Sequence, residues 1–206
     1  MQNSEVLKKF MFTFCMSFIV SIGGMLLGQF VPRSLIIPLI IVEIVLIIVI
    51  CFIKNKRFSY MILYLFMLIS GMTLNVSISH YVSVLGADIV LKAFIVTAIV
   101  YIAIAIFGSI TKFNLSALGN ILFMGLLVLL IVSLVSFFIT FSSTLYLIIT
   151  IFSIVIFAGY TLYDFNQIAR GGISEKDIPL MVIGVYLDFI NLFQNVLRLV
   201  DIFDRD

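Results

Sequence analysis

The sequence predicts an all-α integral membrane protein, with seven transmembrane helices and the seventh at the centre. Three observations point there. The 206 residues are 64% hydrophobic and only 11% charged, with a mean hydropathy of +1.33, whereas soluble domains run near half apolar and a quarter charged. A globule of this size has too little interior to hide so much apolar surface. The uncharged stretches also reach the roughly 20 residues that a bilayer core requires. Finally, the last of these stretches is the most polar, which suits a helix ringed by the others.

The elements follow in order. Phe10 to Pro32 is uncharged, Ser34 to Ile53 carries only Glu43, and Phe58 to Ala87 and Ala93 to Thr111 are uncharged. Phe113 to Tyr163 is uncharged too, but it is too long for one span, and a polar break at Thr140, Ser142, Ser143 and Thr144 divides it. Ile178 to Val200 is apolar but interrupted by Asp188, Asn191, Gln194, Asn195 and Arg198. The expected helices are therefore about 10–32, 35–53, 58–80, 88–110, 117–139, 144–168 and 177–200. None of these runs alternates at period two, so a β-barrel is excluded. The connections are short, and the whole chain, 1–206, reads as one seven-helix domain.

Charge sets the orientation and narrows the partners. Lys8, Lys9, Lys54, Lys56, Arg57, Lys112, Arg170 and Lys176 fall on one side of a seven-span arrangement. Only Arg33, Lys92, Arg198 and Arg205 fall on the other. The positive-inside rule then puts the N-terminus in the cytoplasm. The first apolar stretch is too long for a cleaved signal and lacks a small-x-small site, so it reads as a retained anchor in a plasma membrane. Twelve Lys and Arg against ten Asp and Glu give only +2, without a basic run, so nucleic acid is not a partner. The bilayer is. His80 is the only histidine, which leaves no His-based metal or catalytic cluster. Cys15 and Cys51 lie inside apolar helices and read as buried packing residues rather than a disulfide.

Small and polar residues suggest how the helices meet. Ser17, Ser21, Gly24 and Gly28 form one stripe on the first helix, which lets a second backbone approach closely. Packing within a monomer is the main reading, and a dimer face through Gly24 and Gly28 the other. Ser70, Gly71, Thr73, Asn75, Ser77 and Ser79 on the third helix read as lining the bundle interior or a wet cavity.

Three carboxylates stand where hydropathy places the membrane: Glu43, Asp164 and Asp188. A charge at the bilayer centre costs about 3 kcal/mol on insertion scales, so such groups persist as neutral acids or as parts of pairs. Asp188 is about 16 Å into helix seven at 1.5 Å per residue. Helices six and seven are consecutive and antiparallel, and the midpoint of Asp164 and Asp188 falls close to the turn between them, so the two can meet. Asp188, Asn191, Asn195 and Arg198 share one face of helix seven, within about 80°. Tyr160, Asp164 and Gln167 form a similar face on helix six. Asp177 is placed to cap helix seven, with Pro179 in its first turn. The plain reading is that these groups glue two helices together, at about 1 kcal/mol per bond. The functional reading is that two close carboxylates share a proton and act as a pH switch. An interior with three acids and no base at the same depth also attracts cations.

On these residues the chain resembles the transmembrane Bax inhibitor motif family, and within it the compact bacterial YetJ-type members. The resemblance is carried by Gly28-Gln-Phe-Val-Pro32, Ser70-Gly-Met-Thr-Leu74, Leu162-Tyr-Asp-Phe-Asn-Gln-Ile168, Ile173-Ser-Glu-Lys-Asp-Ile-Pro179 and Tyr186-Leu-Asp-Phe-Ile-Asn-Leu-Phe193. It implies a pH-sensitive calcium leak through a fold with helix seven central. Asp164 and Asp188 match the family's pH-sensing pair and would touch Ca²⁺. The resemblance also implies a basic latch at the end of helix two. Here Lys54 replaces the family arginine, and because lysine lacks the bidentate fork, Arg57 is the alternative latch. Glu43 matches a family acid, and with Asn191 and Asn195 it would draw cations into the pore. Ca²⁺ is then the permeant ion and protons the regulator, with no tightly bound cofactor and no enzymatic activity.

Two rival functions remain in view. An intramembrane aspartyl protease would also carry Tyr163-Asp164 on helix six. Its second motif, Gly-x-Gly-Asp, is replaced by Tyr186-Leu187-Asp188, and no Pro-Ala-Leu follows. A proton-coupled small-solute carrier would need a substrate pocket, and no inverted repeat is evident.

Overall fold

Inside a bilayer no water is at hand to bond backbone amides, so each apolar run must close its hydrogen bonds within itself as a helix. The computed structural model describes residues 2–53, 55–136, 138–171 and 174–204. Seven helices among them are long and apolar enough to cross a membrane, and the described residues contain no strand. They are α1 (Gln2–Gly28), α2 (Ile36–Phe52), α3 (Lys56–Leu85), α4 (Ala87–Ile110), α5 (Ser116–Val135), α6 (Ser143–Ala169) and α7 (Ile178–Asp204), with a 3-10 turn, Arg33–Leu35, before α2. The expected spans recur with shifted ends. α1 and α7 run further into their charged flanks, α3 continues past His80, and α5 stops at Val135, where Ser136 turns its hydroxyl back onto the Ser133 carbonyl at 2.6 Å. α7 is the most buried span, with 61% of its most apolar window covered against 6% for α2.

The helices gather into two compact units. The first holds Met1–His80 and Ile173–Tyr186. Here the small-residue stripe of α1 meets the one on α3. A Cβ on Gly24 would strike the Leu68 backbone, and one on Gly28 would lie 2.7 Å from the Met72 carbonyl oxygen. Gly71 abuts the Ser21 carbonyl from the other side. The Gly24–Gly28 face is thus used within the chain, where close backbone packing does the work that hydrophobicity cannot do in lipid. Phe10, Leu63, Phe66, Met67, Ile178 and Val182 fill the space around it.

The second unit holds Tyr81–Gly172 and Leu187–Asp206. Gly108 lets α4 touch α6, since a Cβ there would sit 2.5 Å from the Leu162 carbonyl oxygen. Gly159 opens α6 to Leu122 of α5 in the same way. An aromatic ladder joins α4 to α7, with Phe94 edge-on to Phe189 and Phe193.

The cysteines require a correction. Both Cys15 and Cys51 are free and exposed on the outer faces of their helices, not buried in packing. An apolar helix offers lipid-facing positions as readily as core ones, and a small apolar thiol suits either. The Cys51 thiol bonds its own helix at the Ile47 carbonyl.

Candidate functional site in the second unit

α6 starts where Ser142 accepts the Leu145 N–H at 3.3 Å. It ends at Gly171, whose φ of 73° is a turn that glycine adopts without strain. α7 starts at Ile178 with Pro179 in its first turn, and the Asp177 carbonyl accepts Met181 N–H at 3.0 Å. This reversal sets the register of the two aspartates. Asp164 is half-buried and Asp188 only 5% exposed. The sequence neighbours of the two aspartates meet on one ring of α4. Tyr101 is wedged between Phe165 and Phe189, the residues next to each aspartate, at 6.1 and 5.3 Å between ring centroids. Asp188 Oδ2 is buried and accepts no hydrogen bond. Two carboxylates brought close would hold one shared proton more cheaply than two charges.

The frame around them is tied by Asn166, fully buried and not singled out by its sequence context. Its Nδ2 donates to the Gly108 carbonyl at 3.1 Å and reaches the Thr111 and Phe113 carbonyls, while its Oδ1 accepts Leu115 N–H. One amide thereby satisfies the end of α4 and the start of α5. Gln167, on the face expected for Asp164, reaches the Ser116 hydroxyl.

Asn191 and Asn195 lie beyond Asp188 along α7. Each donates from Nδ2 to the carbonyl four residues back, at 2.8 and 2.7 Å. Both line a cavity of about 260 Å³, with Ser133, Ser136, Ser153 and Arg198. The Arg198 guanidinium lies 5.7 Å from the centre of the Tyr146 ring.

Other expected site residues fall in the first unit. Glu43 is half-buried and accepts the Thr73 hydroxyl at 2.6 Å. Ser70 and Gly71 are buried, Thr73, Asn75 and Ser77 half-buried, and Ser79 exposed, so the polar run of α3 does face inward for most of its length. Ser70 and Ser21 both bond the Tyr186 hydroxyl, at 3.3 and 2.8 Å. Of the latch candidates, Lys54 lies outside the described residues. Arg57 is exposed at the start of α3, its backbone N–H on Asn55 Oδ1.

A further ionic cluster went unread in the sequence. Glu175 pairs with Lys9 and with Lys56, the latter at 2.5 Å. Hydrogen bonds from the two ammonium groups, Lys56 first, hold its carboxyl well below the usual range, at about 2. The available signal was a lone acid beside the basic residues that set the orientation.

Among the described residues no three His, Cys, Asp or Glu side chains converge.

Known proteins resemble the chain over most of its length. Residues 3–205 match the family model described as "Inhibitor of apoptosis-promoting Bax1". The chain is 34% identical over 179 residues to the "Inner membrane protein YbhL" of Escherichia coli strain K12, covering 82% of this chain and 76% of that one. It is 31% identical over 142 residues to "Bax inhibitor 1" of Schizosaccharomyces pombe, covering 68% and 51% respectively. An uncharacterised Helicobacter pylori protein is 31% identical over 169 residues, covering 81% and 72%. A multi-pass membrane protein with these matches across its length belongs to the Bax inhibitor family.

Proposed function

We propose that the chain is a calcium leak channel of the cell membrane, closed by acidification through the Asp164–Asp188 pair, with its N-terminus in the cytoplasm. The observation that carries this reading is the buried Asp188 carboxylate of α7, one oxygen of which lacks any donor, with the neighbours of Asp164 and Asp188 packed on the same Tyr101 ring. At neutral or higher pH the pair carries more charge and draws in a divalent cation, which takes carboxylate oxygens in place of part of its water. As the pH falls, the shared proton joins the two carboxyls, the charge that attracts the cation is lost, and the path closes. Asn191 and Asn195 would add oxygen atoms along the way. No bond in a substrate is made or broken on this reading.

Calcium flux into proteoliposomes of the purified protein, followed across pH, tests it directly. Wild type should leak more at neutral than at acid pH, and Asp164→Asn with Asp188→Asn should leak equally at both. A double variant that kept the wild-type pH profile would sink the sensor assignment. A wild type that carried no calcium at all would leave a non-transporting regulator in its place.

A further inference from the structure

The cavity beside α7 in the second unit has a chemistry that the aspartate pair does not explain. Its volume of about 260 Å³ has room for roughly eight waters at about 30 Å³ each. Two of its hydroxyls are turned to accept. Ser136 and Ser153 give their single hydrogens to carbonyls of their own helices, at Ser133 and Ile149, 2.6 and 2.8 Å away. Each oxygen keeps only its lone pairs for the cavity. Asn195 donates to the Asn191 carbonyl at 2.7 Å, yet its Oδ1 accepts nothing although the residue is only 6% exposed. Flipping that amide would set two acceptors against each other at the same distance, so the oxygen cannot trade places with the nitrogen.

A buried acceptor without a donor is costly, on the order of 1–3 kcal/mol, and calls for a group bringing hydrogens or positive charge. Residues 188, 191 and 195 share one face of α7, so acceptor-bearing residues continue from the aspartate to the cavity wall. Arg198 is the one charged group on the described lining, and its guanidinium is stacked on Tyr146.

We propose that this cavity binds a hydrated divalent cation through neutral oxygens, with Asn195, Asn191, Ser136 and Ser153 as its contacts. It is a station separate from the aspartate pair. Neutral ligands and the Arg198 charge keep the affinity weak, roughly millimolar, as in the weakest protein calcium sites. The inference rests on the calcium reading for the choice of ion, but its test measures binding without flux, so either can fail alone.

The test uses purified protein carrying Asp164→Asn and Asp188→Asn, which removes the carboxylate pair. Mn²⁺ binding is read from the loss of the free-ion electron paramagnetic resonance signal. Tb³⁺ binding is read from tyrosine-sensitised luminescence, which the absence of Trp keeps free of indole excitation. One ion should remain bound in this background. Adding Asn195→Leu should weaken it about tenfold, and adding Asn195→Asp should tighten it about tenfold. Because Tyr146 lines the cavity, Tyr146→Phe should dim the Tb³⁺ signal while Mn²⁺ binding stays. Absence of any bound ion in the aspartate-free background overturns the proposal, which then reduces to a water-filled cavity. Binding indifferent to both Asn195 variants overturns it too. Binding retained in a protein that leaks no calcium upholds the site and removes the leak.

Discussion

The acids of the two units are treated differently. In the first unit each described carboxylate of the interior or of the α6–α7 turn has a donor: Glu43 has the Thr73 hydroxyl, and Glu175 has Lys9 and Lys56. That unit also buries the hydroxyls of Ser17 and Tyr60 without a partner, but neither carries charge. In the second unit one oxygen of the buried Asp188 has no donor at all. A satisfied polar group in a low-dielectric interior fixes structure, whereas an unsatisfied one stores free energy that a proton or a cation can release. The difference separates scaffold from switch.

Breaking the satisfied groups should therefore cost stability and leave the pH response intact. The largest such effect is expected at Asn166. Asn166→Leu strands the buried Gly108 carbonyl, at about 1–3 kcal/mol, and takes the donor from the part-buried Thr111 and Phe113 carbonyls and the acceptor from Leu115 N–H. Thermal unfolding in detergent should register a severe loss. Gly71→Val should come next, because the branched side chain meets the Ser21 backbone and forces α1 from α3, at about 1–3 kcal/mol. Its Tm against wild type measures this. Tyr186→Phe removes two hydroxyl contacts but keeps the ring against Phe18 and Phe66, so about 1 kcal/mol is expected. A pH profile of flux altered by any of these three would blur the line between scaffold and switch.

Asp188→Asn sharpens the comparison from the other side. It removes the like-charge conflict, so Tm at neutral pH should hold or rise while the flux loses its pH dependence. A large fall in Tm would place Asp188 with the scaffold.

The smallest effect belongs to Glu175→Gln. The pair is exposed and screened by salt, so at neutral pH and moderate ionic strength Tm should not change measurably. Its carboxyl is held below its ordinary value of 4.5, at about 2. Whatever stability it contributes is present above pH 4.5 and lost as the pH falls towards 2. At low ionic strength, where screening is weak, any small difference between wild type and variant should lie above that window and vanish below it, which a Tm series across acid pH would reveal.

Much of this was legible in the chain because it is local. Span count follows from the length of uncharged runs, and the break within 113–163 follows from the hydroxyl residues Thr140, Ser142, Ser143 and Thr144. The faces of α6 and α7 follow from a turn of 3.6 residues, and the close approach of α1 to another helix from glycines and serines at its spacing. Asn166 escaped because it lies off the Asp164 face, and its partners are carbonyls that no sequence pattern marks. Glu175 escaped because an ion pair across 166 positions depends on how loops fold over one another. The cysteines were misjudged because hydropathy does not distinguish lipid from core: both are apolar.

By itself, then, the sequence determined how often the chain crosses a bilayer, where each helix starts and stops to within a turn or two, and which acids lie inside. These depend on transfer free energies and helix geometry, which act residue by residue. Only the tertiary structure decided which oxygens have donors. It paired Glu43 with Thr73, bound Tyr186 to Ser21 and Ser70, and left Asp188 Oδ2 and Asn195 Oδ1 without a partner. Hydrogen bonds depend on tenths of an ångström and on the rotation of one helix against its neighbour, and neither is written in any single run of residues.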